Sequence, residues 1–179
     1  MENRRIFFIT GASGTGKTTL VSEIRDKYRS EKSWEFLHFD TIGVPRPEEM
    51  AEHFGSRENW QKETTFSWIK KLVMGFKDKE IIIFEGQVNL QFIREGFLHY
   101  GFSDYEIILL DCRESVMEKR LTKDRNQPEL VSQDMKNWLS FLRKQGMSFG
   151  VKIIDTSFKT RSEMLKSFEE ILGGWHNQT

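Results

Sequence analysis

The run Gly11-Ala12-Ser13-Gly14-Thr15-Gly16-Lys17-Thr18 matches the pattern G-x-x-x-x-G-K-[ST]. Its residue types suit one kind of chemistry. Glycines let the backbone turn so that successive N–H groups face an anion. A helix opening directly behind the run, through Thr19, adds the positive end of its dipole. In such a cradle Gly11, Ala12, Ser13, Gly14, Thr15 and Gly16 surround phosphate oxygens. Lys17 reaches the β- and γ-phosphates, and the Thr18 hydroxyl ligates magnesium. The alternative reading is a plain glycine-rich turn. Against it, an apolar strand directly precedes the run and an amphipathic helix follows it, which is the context the cradle needs.

Acids and arginines at particular places extend this reading. Asp40 follows the second apolar run and Glu85 the third. Glu85 closes Ile81–Phe84 as an acid that orients magnesium would; its simpler role is a helix-start acid. Asp40 is placed to accept a proton from an acceptor hydroxyl, or it is a turn residue of DTIGVP. Asp111 reads as structural, near the start of a helix with Ser115. Arg120 and Arg125 are suited to clamp charge on a transferred phosphoryl group, although EKRLTKDR also reads as a solvated helix face. Arg113 reads as solvated. The histidines His38, His53, His99 and His176 lack metal-ligand spacing and read as structural or surface residues. Trp60 and Trp68 read as core, with a secondary role in lining an acceptor pocket.

These residues need elements to hold them. Arg5–Thr10, Trp34–Phe39, Ile81–Phe84, Tyr105–Leu110 and Val151–Ile154 are apolar runs of the kind that fills a parallel sheet. Helical patterns fall at Thr18–Tyr28 and near Glu58–Phe76, Val88–His99, Glu114–Lys123, Val131–Lys144 and Arg161–Leu172. Alternation of the two predicts βαβ units with helices on both sheet faces, and a ligand site at the strands' carboxyl ends. Residues 41–75 depart from the alternation with two expected helices. The connection Arg125–Leu130 (RNQPEL) reads as a mobile flap or an ordinary loop.

Composition narrows the partners. The 179 residues suit one domain, with 15 Phe and 5 Trp for its core. Lys plus Arg equals Asp plus Glu at 27 each, which argues against a nucleic-acid partner. No apolar run approaches the roughly 18 residues of a membrane span. The stretch in MENRRIFFIT is too short for a secretory signal core. A single cysteine, Cys112, allows no internal disulfide, reads as a buried small hydrophobe and suits a cytoplasmic location.

The chain resembles the nucleoside and nucleotide kinase group of P-loop proteins, which includes adenylate, shikimate and gluconate kinases. The residues that carry the resemblance are GASGTGKT at 11–18, Asp40, Glu85-Gly86-Gln87, and LLDCRESVMEKRL at 109–121 followed by Arg125. The resemblance implies an α/β P-loop NTPase fold with a five-stranded parallel sheet of order 2-3-1-4-5. It implies an acceptor-binding insert at about 41–75 and a short lid near 121–131. It implies that Arg120 and Arg125 contact ATP phosphates, and that Asp155-Thr156-Ser157 lies near adenine. The segment FEGQVNLQF differs from the adenylate kinase motif, with Asn89 where that motif has an arginine, and it lacks the lysine motif of gluconate kinases. Gln87, Gln91 and Arg94 are the candidates for meeting the acceptor.

The function expected is transfer of the γ-phosphate of ATP, with Mg2+, to a small-molecule acceptor by a monomer or homodimer. An alcohol acceptor would use Asp40 as base, whereas a phosphate acceptor would want extra arginines such as Arg46 and Arg57. The absence of N-K-x-D favours ATP over GTP. The competing expectation is a nucleotide-dependent switch or regulatory NTPase with no small acceptor.

Overall fold

The computed structural model describes residues 4–176, with side chains to Gly174. Five strands form one parallel sheet: β1 Arg5–Thr10, β2 Trp34–His38, β3 Ile81–Glu85, β4 Tyr105–Asp111 and β5 Lys152–Asp155. Their order is β2-β3-β1-β4-β5. This is the expected P-loop NTPase arrangement, and every strand pair is parallel. Met1, Glu2 and Asn3 of the N-terminal stretch, and the side chain of His176, lie outside the described residues.

Side-chain alternation along the inner strands builds two cores. Ile6 and Phe8 of β1, Ile82 and Phe84 of β3, and Ile107 and Leu109 of β4 face one layer. Phe7, Ile9, Ile81, Ile83, Ile108 and Leu110 face the other. Both faces are covered, so these strands are apolar without interruption. The helices α1 Lys17–Lys27 and α7 Arg161–His176 cover the second face, where Leu20, Val21, Ile24, Met164 and Phe168 are buried.

The first face is covered by three helices: α3 Arg57–Met74, α4 Leu90–His99 and α6 Gln133–Phe149. α2 Pro47–Phe54 stands before α3, and α5 Glu114–Lys119 lies between β4 and α6. The two helices expected in 41–75 are therefore present. α3 is also a main wall of the core, burying Trp60, Trp68, Ile69 and Leu72 against the sheet. Those tryptophans line no acceptor pocket; they are core.

Some boundaries differ from expectation for local reasons. β2 ends at His38, because Phe39–Ile42 winds into a 3-10 turn. The helix expected to Lys123 loosens after Lys119 into a π turn, Arg120–Asp124, in which the Arg125 N–H donates to the Arg120 carbonyl at 3.0 Å. α5 has Arg113 at its N-cap, not Asp111 or Ser115. Asp111 is instead held by Arg143, whose Nε and Nη2 donate to its two oxygens at 2.6 and 3.0 Å. No helix among the described residues is long and apolar enough to cross a membrane.

Cys112 is buried in a small cluster with Ala12, Met117, Leu121 and Leu139. Burial pushes its thiol up to about 11. The folded protein should therefore resist iodoacetamide at pH 8, and labelling should appear only where denaturant unfolds it. Labelling of native protein at the rate of a free thiol would contradict this packing.

Candidate phosphate-binding site

The loop between β1 and α1 holds Gly11, Gly14 and Gly16 at φ of 152°, 81° and 101°. Side chains in that region are strained, which explains the three glycines. The loop's carbonyls are tied down from behind. Ala12 accepts from the Thr15 hydroxyl at 2.8 Å and Lys17 Nζ at 3.1 Å. Thr15 accepts from the Thr156 hydroxyl at 2.8 Å, and Gly14 accepts from Arg120 Nη1 at 3.2 Å. With its carbonyls engaged, the loop leaves the N–H groups at the start of α1 as donors for an anion. Thr18 and Thr19 lie in that first turn.

Lys17 sits inside the loop, and desolvation there lowers its ammonium to about 8. The Glu85 and Asp40 carboxylates oppose the shift, and the Arg125 guanidinium adds to it. Lys17, Glu85, Arg125 and Asp40 are thus brought into one electrostatic neighbourhood.

Glu85 is the most constrained of these groups. It ends β3 beside Ile9 of β1 and His38 of β2 in register. It is a strand-end residue, well before the start of α4, so the helix-start reading fails. Its Oε1 accepts from the Thr18 hydroxyl at 3.2 Å and from His38 Nδ1 at 3.0 Å. Its Oε2 is buried with no partner. His38 Nε2 meets Arg25 Nη2 at 2.8 Å. A guanidinium can only donate, so Nε2 accepts and Nδ1 carries the proton toward Glu85. Sequence reasoning placed His38 among structural residues. Its position at a strand's carboxyl end was the signal that could have found it.

Asp40 is exposed in the turn after β2. Phe39 anchors that turn: it is buried against Trp60 and Phe84, and its carbonyl accepts from Trp68 Nε1 at 3.1 Å. Arg120 points back into the loop, donating also to the Thr156 hydroxyl at 2.9 Å and carbonyl at 2.7 Å. Thr156 thereby joins the cradle. Arg125 is exposed, following the π turn.

A cavity of about 810 Å³ opens beside the loop, between α3, the β3–α4 connection and α6. Gln87 links the two, since it lines the cavity and its Oε1 accepts from the Ser13 hydroxyl at 2.9 Å. Gln61, unnoticed in the sequence, braces this wall: its Nε2 donates to the Gln87 carbonyl and its Oε1 accepts from the Asn89 N–H, both at 3.2 Å. Of the other expected acceptor contacts, Gln91 is bound to Glu95 at 2.7 Å. Arg94 lies over Phe149 and lines a different cleft, so the structure does not bring it to this cavity.

The orphaned Glu85 oxygen next to Thr18 fits a divalent cation held partly by phosphate oxygens. Among the described residues no group of three or more His, Cys, Asp or Glu forms a protein-only metal cage. Nucleotide phosphates with magnesium therefore fit this donor set.

No protein-family model matches the sequence, and no curated protein matches it. Solved structures do share its fold. A gluconokinase from Sinorhizobium meliloti superposes with a TM-score of 0.67 at 12% identity, covering 100% of this chain and 99% of that one. A shikimate kinase from Acinetobacter baumannii, in complex with shikimate, gives 0.64 at 19% identity, covering 97% and 96%. A shikimate kinase from Aquifex aeolicus gives 0.61 at 18%, covering 94% and 96%. The chain shares the fold of these solved structures.

Gly86 tests how tightly the site is assembled. A Cβ there would stand 2.6 Å from Phe39 Cβ, so Gly86→Ala must displace the turn that carries Asp40. Overpacking of this kind should cost about 1–3 kcal/mol. Chemical denaturation should show that loss; an unchanged midpoint would mean that the Phe39 turn yields freely.

Proposed function

We propose that this protein is an ATP-dependent phosphotransferase that passes the γ-phosphate to a hydroxyl of a small molecule. The observation that carries the reading is the cavity joined to the phosphate loop through Gln87 and Ser13, with Asp40 and Glu85 at the same sheet edge. A switch protein needs the loop but not a built acceptor chamber beside it. The shared fold with shikimate and gluconate kinases supports the same class.

ATP with its magnesium ion supplies the phosphoryl group and part of the charge neutralisation. The protein's own contribution is positioning and electrostatics. The N–H groups from Gly11 to Thr19 cradle the phosphates, and Lys17 reaches the outer ones. Thr18 and Glu85 would hold the cation, with His38 fixing the direction of the Glu85 carboxylate. Asp40 takes the proton of the attacking hydroxyl. Arg120 locks the loop's shape against Thr156, and Arg125 closes over the transferred group. Residues 41–75 carry the acceptor-facing wall, and 121–131 act as a lid. The balanced charge and the buried Cys112 thiol suit a cytoplasmic enzyme that works on small molecules, as a monomer or homodimer, without nucleic acid or membrane.

Substitution at the loop separates chemistry from folding. Lys17→Ala should lower acceptor-dependent ATP consumption at least about a hundredfold, with little change in melting temperature because its ammonium serves the loop and not the core. Asp40→Asn should reduce transfer to a hydroxyl by a similar factor while ATP affinity stays near that of the wild type. Full activity in either variant would remove that residue from the proposed mechanism.

The nucleotide itself can be checked by thermal shift. With magnesium, ATP should raise the melting temperature more than GTP does at equal concentration. Equal or greater stabilisation by GTP would overturn the ATP preference.

A further inference from the structure

The walls of the cavity next to the phosphate loop carry information about what can enter it. Its ionisable lining consists of Glu58, Glu129 and Asp134 against a single guanidinium, Arg57. The other arginine of the same segment, Arg46, is committed to Glu49: its guanidinium donates at 3.0 Å and its backbone N–H at 2.8 Å. An acceptor bearing a carboxylate or phosphate would enter against a net negative wall, with no arginine pair to hold it.

The rest of the lining is aromatic and amide. Trp138 and Phe141 present stacked rings with centroids 5.4 Å apart, and Phe141 is 40% exposed. Phe92 closes the other side. Gln87 and Asn89 each spend their side-chain oxygen internally, on the Ser13 hydroxyl and the Gln91 N–H. The amide nitrogens of both side chains remain as donors on the cavity wall. Unused donors in a concave, partly aromatic site favour a ligand with neutral oxygen or ring-nitrogen acceptors and a flat face.

Resting on the kinase reading above, we propose that the acceptor is an uncharged, flat-ringed compound bearing a hydroxyl, and that acceptors already carrying a carboxylate or phosphate are rejected. The stacked Trp138–Phe141 pair holds the ring face. The Gln87 and Asn89 amides hold its neutral polar edge. Glu58, Glu129 and Asp134 exclude anions. In the reaction the acceptor O–H loses its proton to Asp40, its oxygen bonds to the γ-phosphorus, and the bond from that phosphorus to the β–γ bridging oxygen breaks to release ADP.

The test is ligand-observed saturation-transfer NMR on the full chain with magnesium and a non-hydrolysable ATP analogue. The uncharged probes are adenosine, uridine and 4-hydroxybenzyl alcohol; the anionic probes are shikimate, gluconate and AMP. At least one uncharged probe should bind at least about tenfold more tightly than every anionic one. Phe141→Ala, at a position 40% exposed, should weaken that binding severalfold while leaving the melting temperature nearly unchanged. Arg94→Ala, in a different cleft, should leave it nearly unchanged. Tighter binding of any anionic probe, loss of binding in Arg94→Ala, indifference to Phe141→Ala, or no binding of any uncharged probe would each overturn the proposal. The kinase reading fails separately. Binding of uncharged probes with no acceptor-stimulated ADP formation would sink the kinase but keep the pocket's selectivity, whereas phosphorylation of shikimate or gluconate would keep the kinase and sink the selectivity.

Discussion

From Ile6 to Thr10, β1 has no exposed side chain, and it is hydrogen-bonded on both edges by β3 and β4. Burying that strand between two helical layers is the constraint on which the rest of the molecule depends. A parallel sheet sends every strand's carboxyl end to the same edge. Thr10 therefore hands the chain to the phosphate loop at the level where β3 delivers Glu85 and β2 delivers His38. The register that satisfies the core also assembles the polar site. Thr10 shows the coupling directly: its buried hydroxyl donates to the Val88 carbonyl at 2.9 Å and accepts from the Val88 N–H at 3.1 Å. The start of the β3–α4 connection is thereby pinned to the strand that feeds the loop.

Against this apolar frame Glu85 is costly. A buried carboxylate oxygen without a partner is unfavourable, and the two hydrogen bonds to Oε1 leave Oε2 unserved. Arg25, through His38, fixes where the carboxylate points without satisfying it. Such an arrangement makes physical sense where a cation completes the site. The same logic applies to Lys17, whose ammonium is desolvated inside the loop and is only partly compensated by the Glu85 and Asp40 carboxylates. Neither group is placed for stability alone, and both fit the anion and cation of the proposed function.

Much of this was legible in the sequence because periodicity and strand-end position are local signals. The five apolar runs, the glycine loop, Asp40 and Glu85 all follow from reading what comes directly after each strand. Other features depend on contacts distant in sequence. Arg143 meets Asp111 across 32 positions, and Gln61 reaches Gln87 and Asn89 from another helix; no spacing rule pairs them. The π turn at Arg120–Asp124 lies in a segment whose pattern is ordinary helix, and it is Arg120's tie to Gly14 and Thr156 that accompanies the break. Trp60 and Trp68 could be core or pocket by composition alone. Only the packing of α3 on the sheet decides for core and leaves the aromatic lining of the cavity to Phe92, Trp138 and Phe141.

In the proposed function a phosphoryl group leaves ATP for another molecule and not for water. Phosphorus NMR of the reaction with ATP, magnesium and a mixed pool of small alcohols observes that partition directly. A kinase forms ADP together with a new phosphomonoester resonance, and forms it faster than in the absence of the pool. ADP accompanied only by inorganic phosphate, at a rate the pool does not change, would contradict it and identify an NTPase instead.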